Sequence, residues 1–582
     1  MDWESLKTRA ADLYYSIKYF PLVRRRPPPP SGEPEPGFIG IQIDALSIED
    51  LQYAVARGFM RNTARLARKY GFAVTSYRPE LPYATSQAQC ALLYGYHENI
   101  PAFRWYEKAE RRVISFNDPA CVQHVRERIP PEFPGVLKGG SSYINLYDGD
   151  ADHCVLTASA SRPLATLTRL GGMRALLLLA LHPIASYLTI IQMFREFVAE
   201  ISDRWIARRG GHGTVIEGVF PLVRIASNVL LANLQTAWVL ADIHGGVPYI
   251  YTTYMAYDEL AHHFGPRSRQ AMLALRNIDR AIGRIARMAR LSRRRRAYKL
   301  IVLSDHGMHP AIPFERRFGK TLAGVARELA GLDEPVTDRL GGADHTAPHV
   351  HIARMRIENW NPRFPRIASP FRRRLLKILE RVSPTPLRPE TFFISIEHRI
   401  VVTYSSSLAF VYFADWEEPL DMDAVKRLYP TLLEGLVRHP GVGVVLARGG
   451  GDVPARFASK TGAGFLRDGN IAVESGESPF GPYAKDAADA RNIERLVTMK
   501  NSGDLVIFGA FEGGSIYCFD DQVGAHGCPG GRQGEPFIML PVELFTPALA
   551  DMNCRQICES VFRRIRHAAE GKDAPCGEAA AR

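Results

Sequence analysis

Short apolar runs that end in a polar, ligand-bearing residue recur along this chain. Phe38-Ile-Gly-Ile-Gln-Ile-Asp44 ends in a carboxylate, and Lys299-Leu-Ile-Val-Leu-Ser-Asp-His-Gly-Met308 ends in Asp305 and His306. Near-continuous apolar runs of this kind predict strands buried on both faces of a parallel sheet. Further strand-like runs lie at Phe72 to Tyr77, Val247 to Thr252, Ile400 to Tyr404, Leu408 to Phe413, Val442 to Ala447 and Asp504 to Phe508. Helical stretches fall between them. Ser47 with Asp50 opens one that runs on through Asn62 to Tyr70 and stops at Gly71. A second opens at Thr85 or Ser86 and stops at Gly95, and a long basic one spans about Ser268 to Arg290. Strand, helix, strand in this order predicts βαβ units, and so an α/β fold with a mostly parallel central sheet.

Other stretches break the pattern. Residues 1–36 read as an amphipathic helix, Leu6 to Phe20, followed by Arg24 to Arg26 and four prolines that favour an extended linker. Ala175 to Phe194 is apolar and long enough to cross a bilayer. A single crossing would separate Thr85 from the later motifs, so the segment is expected to be a buried, interfacial or re-entrant helical insertion. Asp148, Asp150 and Asp152 alternate, but an EF-hand loop needs Gly and Glu where His153 and Ser159 stand, which excludes that reading. His345, His349 and His351 are read as solvated loop residues. The expected organisation is therefore a core in three parts, 37–159, 216–320 and 401–548. Insertions at 160–215 and 321–400 interrupt it, and 1–36 and 549–582 flank it.

A chain of 582 residues, 46% hydrophobic and 23% charged, can bury a large core. Its formal charge of +12 suits anionic partners: a phosphate-ester substrate, a membrane surface touched peripherally, or nucleic acid only as substrate. The eight cysteines form no C-x-x-C pair, so neither a zinc ribbon nor a disulfide framework is expected. No basic, then apolar leader is visible at Met1, and a cytoplasmic protein is expected.

The candidate chemistry lies at the element ends. Asp258 and His262 stand four apart and so project from one side of a helical turn, as a metal chelate requires. Asp305 with His306 offers an oxygen and a nitrogen at a strand end, and His526 sits in the glycine-dense loop Gln522 to Gly531. A hydroxyl at a helix start, Thr85 or Ser86, lies in positive potential that favours its alkoxide and an incoming phosphate.

These motifs together resemble the alkaline phosphatase superfamily, and within it the type I phosphodiesterase and nucleotide pyrophosphatase branch. The matching elements are Asp44 at a strand end, Thr85 followed ten residues later by Gly95, Asp-x-x-x-His-x-x-Gly-Pro at 258–266, Ser-Asp-His-Gly-Met at 304–308 and Gly-x-His-Gly at 524–527. The resemblance implies an α/β/α sandwich and two divalent metal ions, usually zinc with manganese as the alternative. Asp258, His262 and His526 would hold one ion; Asp44, Asp305 and His306, with the Thr85 oxygen, would hold the other. It further implies Thr85 as nucleophile and a covalent phosphothreonine. The branch's Thr-x-Pro is Thr85-Ser86-Gln87 here, which keeps Ser86 as an alternative. The usual phosphate-binding Asn is replaced by Phe103-Arg-Trp-Tyr-Glu-Lys108, which makes Arg104 and Lys108 candidate substrate contacts. No Lys-x-Arg of the monoesterase type follows Thr85, so a phosphodiesterase is expected. The alternatives are a monoesterase, a lipid head-group phosphotransferase and a non-catalytic basic scaffold.

Overall fold

The computed structural model describes residues 35–160, 231–331 and 400–571, with Val229, Arg373 and Lys377. The expectations for Leu6 to Phe20, Ala175 to Phe194 and His345 to His351 lie outside them.

Seven strands build the central sheet: β1 (Pro36–Ile43), β2 (Phe72–Ser76), β3 (Ser141–Tyr143), β4 (His153–Val155), β5 (Tyr249–Tyr254), β6 (Ala297–Leu303) and β7 (Phe537–Pro541). Their order is β2-β7-β6-β1-β5-β3-β4. All pairings are parallel except those of β7, which runs antiparallel between β2 and β6. The βαβ reading therefore needs one correction: β1 and β2 share the sheet but are not neighbours. The helical stretch between them is also two helices, α1 (Ile48–Ala56) and α2 (Arg61–Lys69), with Gly58 between them in the left-handed region.

Layering follows from strand alternation. On one face Phe38 meets Phe562, Tyr251 meets Phe562, and Gln42 and Thr253 accept from Gln89 of α3 (Thr85–Tyr94). That face is covered by α3 and the C-terminal helical stretch from Cys554 to Ala569. On the other, Gln235 and Thr236 of α4 (Ala232–Gly245) bond Thr252 and Tyr254. Beside α4 pack α5 (Ala256–Phe264) and α6 (Arg269–Leu291), with α2 against α6. The architecture is an α/β/α sandwich with a mostly parallel sheet.

The start of α2 is held from outside the helix. Its N-cap, Met60, makes no side-chain cap bond. Instead the buried Asp279 of α6 accepts from the amides of Asn62 at 2.9 Å and Thr63 at 2.8 Å, and from the Thr63 hydroxyl at 2.8 Å. Asp279→Ala strands two first-turn amides and is expected to cost about 3 kcal/mol. Urea unfolding should show the midpoint falling with the slope unchanged.

The stretch 401–548 departs from expectation in another way. Apart from β7, its longer strands form a second, antiparallel sheet of seven, with its own core built on Phe413, Val445, Leu433 and Leu436. A small sheet joins the two layers: Gly524–Ala525 pairs antiparallel with His309–Pro310, just past Asp305 and His306. This pairing carries His526 to the ends of β1 and β6.

Candidate metal centre and nucleophile

Parallel strands β1 and β6 are neighbours and end together, so Asp44 and Asp305 emerge side by side at the carboxyl edge of the sheet, where α/β folds keep their ligands. Asp44, Asp305 and His306 are buried, and a ligand atom from each lies within 4.8 Å of the other two. Asp258, His262 and His526 form a second such group. The two groups touch, because the His306 and His526 rings stack with centroids 4.1 Å apart.

The chain turns tightly around both. Ala45 takes a left-handed φ of 60°, and its amide donates to Asp305 Oδ1 at 3.3 Å. Such backbone in a non-glycine residue is costly and is found where surrounding structure holds it. At Gly307 an added Cβ would lie 1.9 Å from the Arg532 carbonyl oxygen, and at Gly524 it would lie 2.4 Å from that of Ala261. Both glycines let the backbone of one ligand segment press against another.

Each histidine is oriented through Nδ1. His262 Nδ1 donates to Gly524 O at 2.7 Å, His526 Nδ1 to Tyr83 O at 2.8 Å, and His306 Nδ1 to Gly307 O at 3.1 Å. A carbonyl only accepts, so the proton sits on Nδ1 and leaves Nε2 as a free lone pair in the neutral ring. His262 Nε2 and His526 Nε2 then face each other at 3.1 Å, an arrangement that a proton on one ring or a shared cation relieves. Asp258 Oδ1 and Asp305 Oδ2 are buried with no hydrogen-bond partner. The donor set, carboxylate oxygens with imidazole nitrogens, fits borderline divalent ions.

Electrostatics point the same way. Burial, then repulsion from Asp305 and Asp258, pushes the Asp44 carboxyl well above its usual range. Burial opposes ionisation of Asp258, but His262, His526 and His306 outweigh it and hold its carboxyl below the usual range. Burial would lower the His262 imidazole, yet Asp258 raises it. Burial and the neighbouring His306 and His262 drive His526 well below, so it is neutral and able to ligate. Clustered carboxylates at such cost are the environment a divalent cation relieves.

Thr85 is the first residue of α3, and its Oγ1 lies 3.1 Å from Asp44 Oδ1 and 3.2 Å from His306 Nε2. The N-cap is Ala84, which offers no side-chain cap, although the first turn of α3 is buried. A buried, uncapped helix start is suited to receive an anion. The Ser86 hydroxyl points elsewhere and donates to Ala102 O at 3.0 Å.

The two candidate substrate contacts separate. Arg104 pairs with Asp520 at 3.3 Å; Asp520 accepts from the Ser406 amide at 2.7 Å, and the Ser406 hydroxyl accepts from the His526 amide at 3.3 Å. Arg104 is thus three contacts from His526, a candidate ligand. Lys108 is corrected to a structural role: its ammonium is buried against Asp504 at 2.8 Å and Glu418 O at 3.1 Å. An ammonium committed to a buried carboxylate is not available to a phosphate.

Sequence reasoning missed the brace around the site. Buried Asp50 on α1 accepts from Arg267 at 2.7 Å and Arg532 at 3.1 Å, tying the segment after Asp44 to those after α5 and His526. The capping pattern at Ser47 marked Asp50, but no local signal marks its partners, which lie hundreds of residues away. A third acidic cluster, Glu107, Glu110 and His124, is filled by Arg128, which bonds Glu107 at 2.7 and 2.9 Å, and is no metal site.

Sheet, site and a sequence match together define the class of protein: a hydrolase of phosphoric esters. Residues 193–328, which carry Asp258, His262, Asp305 and His306, match the family described as type I phosphodiesterase / nucleotide pyrophosphatase, the alkaline phosphatase superfamily branch that the motifs resemble. No curated protein matches the sequence. Among solved structures the chain is similar to phosphonoacetate hydrolase from Sinorhizobium meliloti 1021 in complex with phosphonoformate, with 14% identity, 94% of this chain and 97% of that chain covered, and a TM-score of 0.45. It is also similar to an inactive variant of murine ectonucleotide pyrophosphatase/phosphodiesterase 5 in complex with AMP, with 9% identity, 92% and 95% covered, and a TM-score of 0.42. The human protein of that name gives 10%, 91%, 95% and 0.43. No helix among the described residues is long and apolar enough to cross a membrane.

Proposed function

We propose that this protein is a phosphodiesterase or nucleotide pyrophosphatase that works through Thr85 and two divalent metal ions, zinc or manganese. The observation that carries the reading is the joined pair of triads with the Thr85 hydroxyl on their rim. Asp258, His262 and His526 would hold one ion and Asp44, Asp305 and His306 the other. Ions held there would stabilise charge on phosphoryl oxygens and lower the pKa of the threonine hydroxyl.

The chain's own part is positioning and proton handling. The Thr85 hydroxyl donates toward Asp44 Oδ1 and yields its proton to solvent water as Oγ1 attacks phosphorus. The Oγ1–P bond forms while the bond from phosphorus to the leaving oxygen breaks in line, and the leaving oxygen takes up a proton. Water then cleaves the Oγ1–P bond and restores the threonine. The positive end of α3 favours the phosphoryl oxygens throughout. Arg104, close to His526 through Asp520 and Ser406, is the candidate contact for the far side of a diester.

Elemental analysis alongside matched aryl phosphate monoester and diester substrates tests the reading. About two metal ions per chain and a faster diester are expected from the paired triads. A faster monoester would move the assignment to a phosphatase, and metal-free, inactive wild type would remove it.

A further inference from the structure

Away from the carboxyl edge that holds the metal triads, helices α2 and α6 lie side by side and expose a face made of arginine. On α6 the outward positions Arg276, Arg280, Arg284, Arg287 and Arg290 follow one another at helical spacing. The helix's one acid, Asp279, is buried under α2. Along α2 the outward positions are Arg61, Arg65, Arg68 and Lys69. Among the described residues none of these nine cations is paired with a carboxylate. Their contacts are an aromatic ring or an amide: Arg276 on Phe59, Arg290 on Tyr70, Arg280 to Asn277, Arg284 to Asn233. Arg293 and Arg294 extend the exposed charge past the end of α6.

A second, independent feature sits at the end of this face. Among the described residues, large apolar side chains exposed to water are few, and four of them converge here: Tyr70 at 45%, Val74 at 39%, Leu291 at 39% and Val542 at 60%. The convergence is built by the topology. Tyr70 closes α2 just before β2, Leu291 closes α6 shortly before β6, and Val542 follows antiparallel β7, so all three lie at the amino-terminal edge of the parallel strands. The Val542 amide donates to Gly71 O at 2.8 Å, and Arg290 lies 4.3 Å from the centre of the Tyr70 ring. Val74 points outward from β2, the edge strand. The acid beside Val542, Glu543, is taken up by Lys299 at 2.9 Å.

We infer that this face docks the protein on an anionic phospholipid bilayer. Arginines around a small apolar tip are the composition of an interfacial membrane contact, in which the charges meet lipid phosphates and the aliphatic side chains enter the acyl boundary. A nucleic acid backbone would use the arginines but leaves Leu291, Val74 and Val542 without a role. A second copy of the chain would oppose like charges. The orientation has a consequence. β6 separates Leu291 from Asp305 by about 20 Å of strand, so the docked protein holds its metal triads away from the bilayer. The bilayer is therefore an anchor, and the ester substrate arrives from water.

Sedimentation of the full chain with phosphatidylcholine vesicles, with and without phosphatidylserine, at low and high salt, tests this. Wild type is expected in the pellet only with phosphatidylserine. Arg68→Gln with Arg287→Gln, one on each helix, should weaken partition about 30-fold for the pair. Leu291→Ser with Val542→Ser should leave the remaining binding fully sensitive to salt. Both pairs should unfold at the wild-type temperature, because all four side chains are exposed. Absence of wild-type binding, equal binding to phosphatidylcholine alone, or partition untouched by both pairs would overturn the inference. Tighter, Arg68- and Arg287-dependent binding to duplex DNA would overturn it in favour of a nucleic-acid face.

Discussion

Replacing Thr85 with alanine is expected to lower kcat for diester hydrolysis by about 10,000-fold or more, the scale seen when a nucleophile is removed from an assembled site. The geometry confines the loss to chemistry. Thr85 contributes one hydroxyl, bonded to Asp44 at 3.1 Å and beside His306 at 3.2 Å, so its removal costs folding only about 1 kcal/mol and leaves all six metal-ligand candidates in place. Metal content and unfolding temperature should therefore stay near wild type while turnover disappears. Thr85→Ser keeps the oxygen and should retain measurable turnover. Ser86→Ala should be nearly silent in kcat, since that hydroxyl is bonded to the Ala102 carbonyl. Rapid quench with a radiolabelled phosphodiester should trap label on the wild-type chain and not on Thr85→Ala. Full activity in Thr85→Ala would mean that water attacks directly.

Stripping metal with a chelator is the second large effect. Hydrolysis should fall to background and return on adding zinc or manganese. Stability should fall as well, by about 2.7 kcal/mol for free metal at about 100 times its Kd. The cause is visible in the carboxylates: Asp44 is driven above its usual range by burial and by Asp305 and Asp258, a cost that falls on the metal-free protein. A sign change follows. Asp305→Asn removes one charge from a buried cluster, so it should stabilise the metal-free protein and destabilise the metal-loaded one. Calorimetric unfolding of both proteins in both states reads this directly. The same sign in both states would mean that Asp305 serves packing rather than metal.

Much of the candidate site was legible because its candidate ligands come in local pairs. Asp258 and His262 are four apart on a helix, and Asp305 and His306 adjoin at the end of an apolar run; both patterns are read from a few neighbouring residues. Grouping was harder. Asp44 joins Asp305 and His306 because β1 pairs with β6, and His526 joins Asp258 and His262 because the short strand Gly524–Ala525 pairs beside His309. The Gly-x-His-Gly motif marked the residue, and only resemblance to a family assigned it a partner. Lys108 shows the converse. A lysine downstream of a nucleophile suggests phosphate binding, and nothing local shows that buried Asp504, far along the chain, claims it.

By itself the sequence determined the elements and the ends at which chemistry sits. Strand runs, the stop of α3 at Gly95, the helical pair at 258 and 262 and the α/β class depend on periodicity and on capping within a few residues, which are local energies. Tertiary structure alone decided the insertion of β7 between β2 and β6, the assignment of most later strands to a second antiparallel sheet, and the separation of the arginine face from the catalytic edge. It also set the Thr85 hydroxyl, and not that of Ser86, beside Asp44: adjacent hydroxyls at one helix start differ in rotation by about 100°, and which of them meets Asp44 depends on how α3 packs on β1. That packing is set by contacts between residues far apart in the chain, whose energies no local window contains.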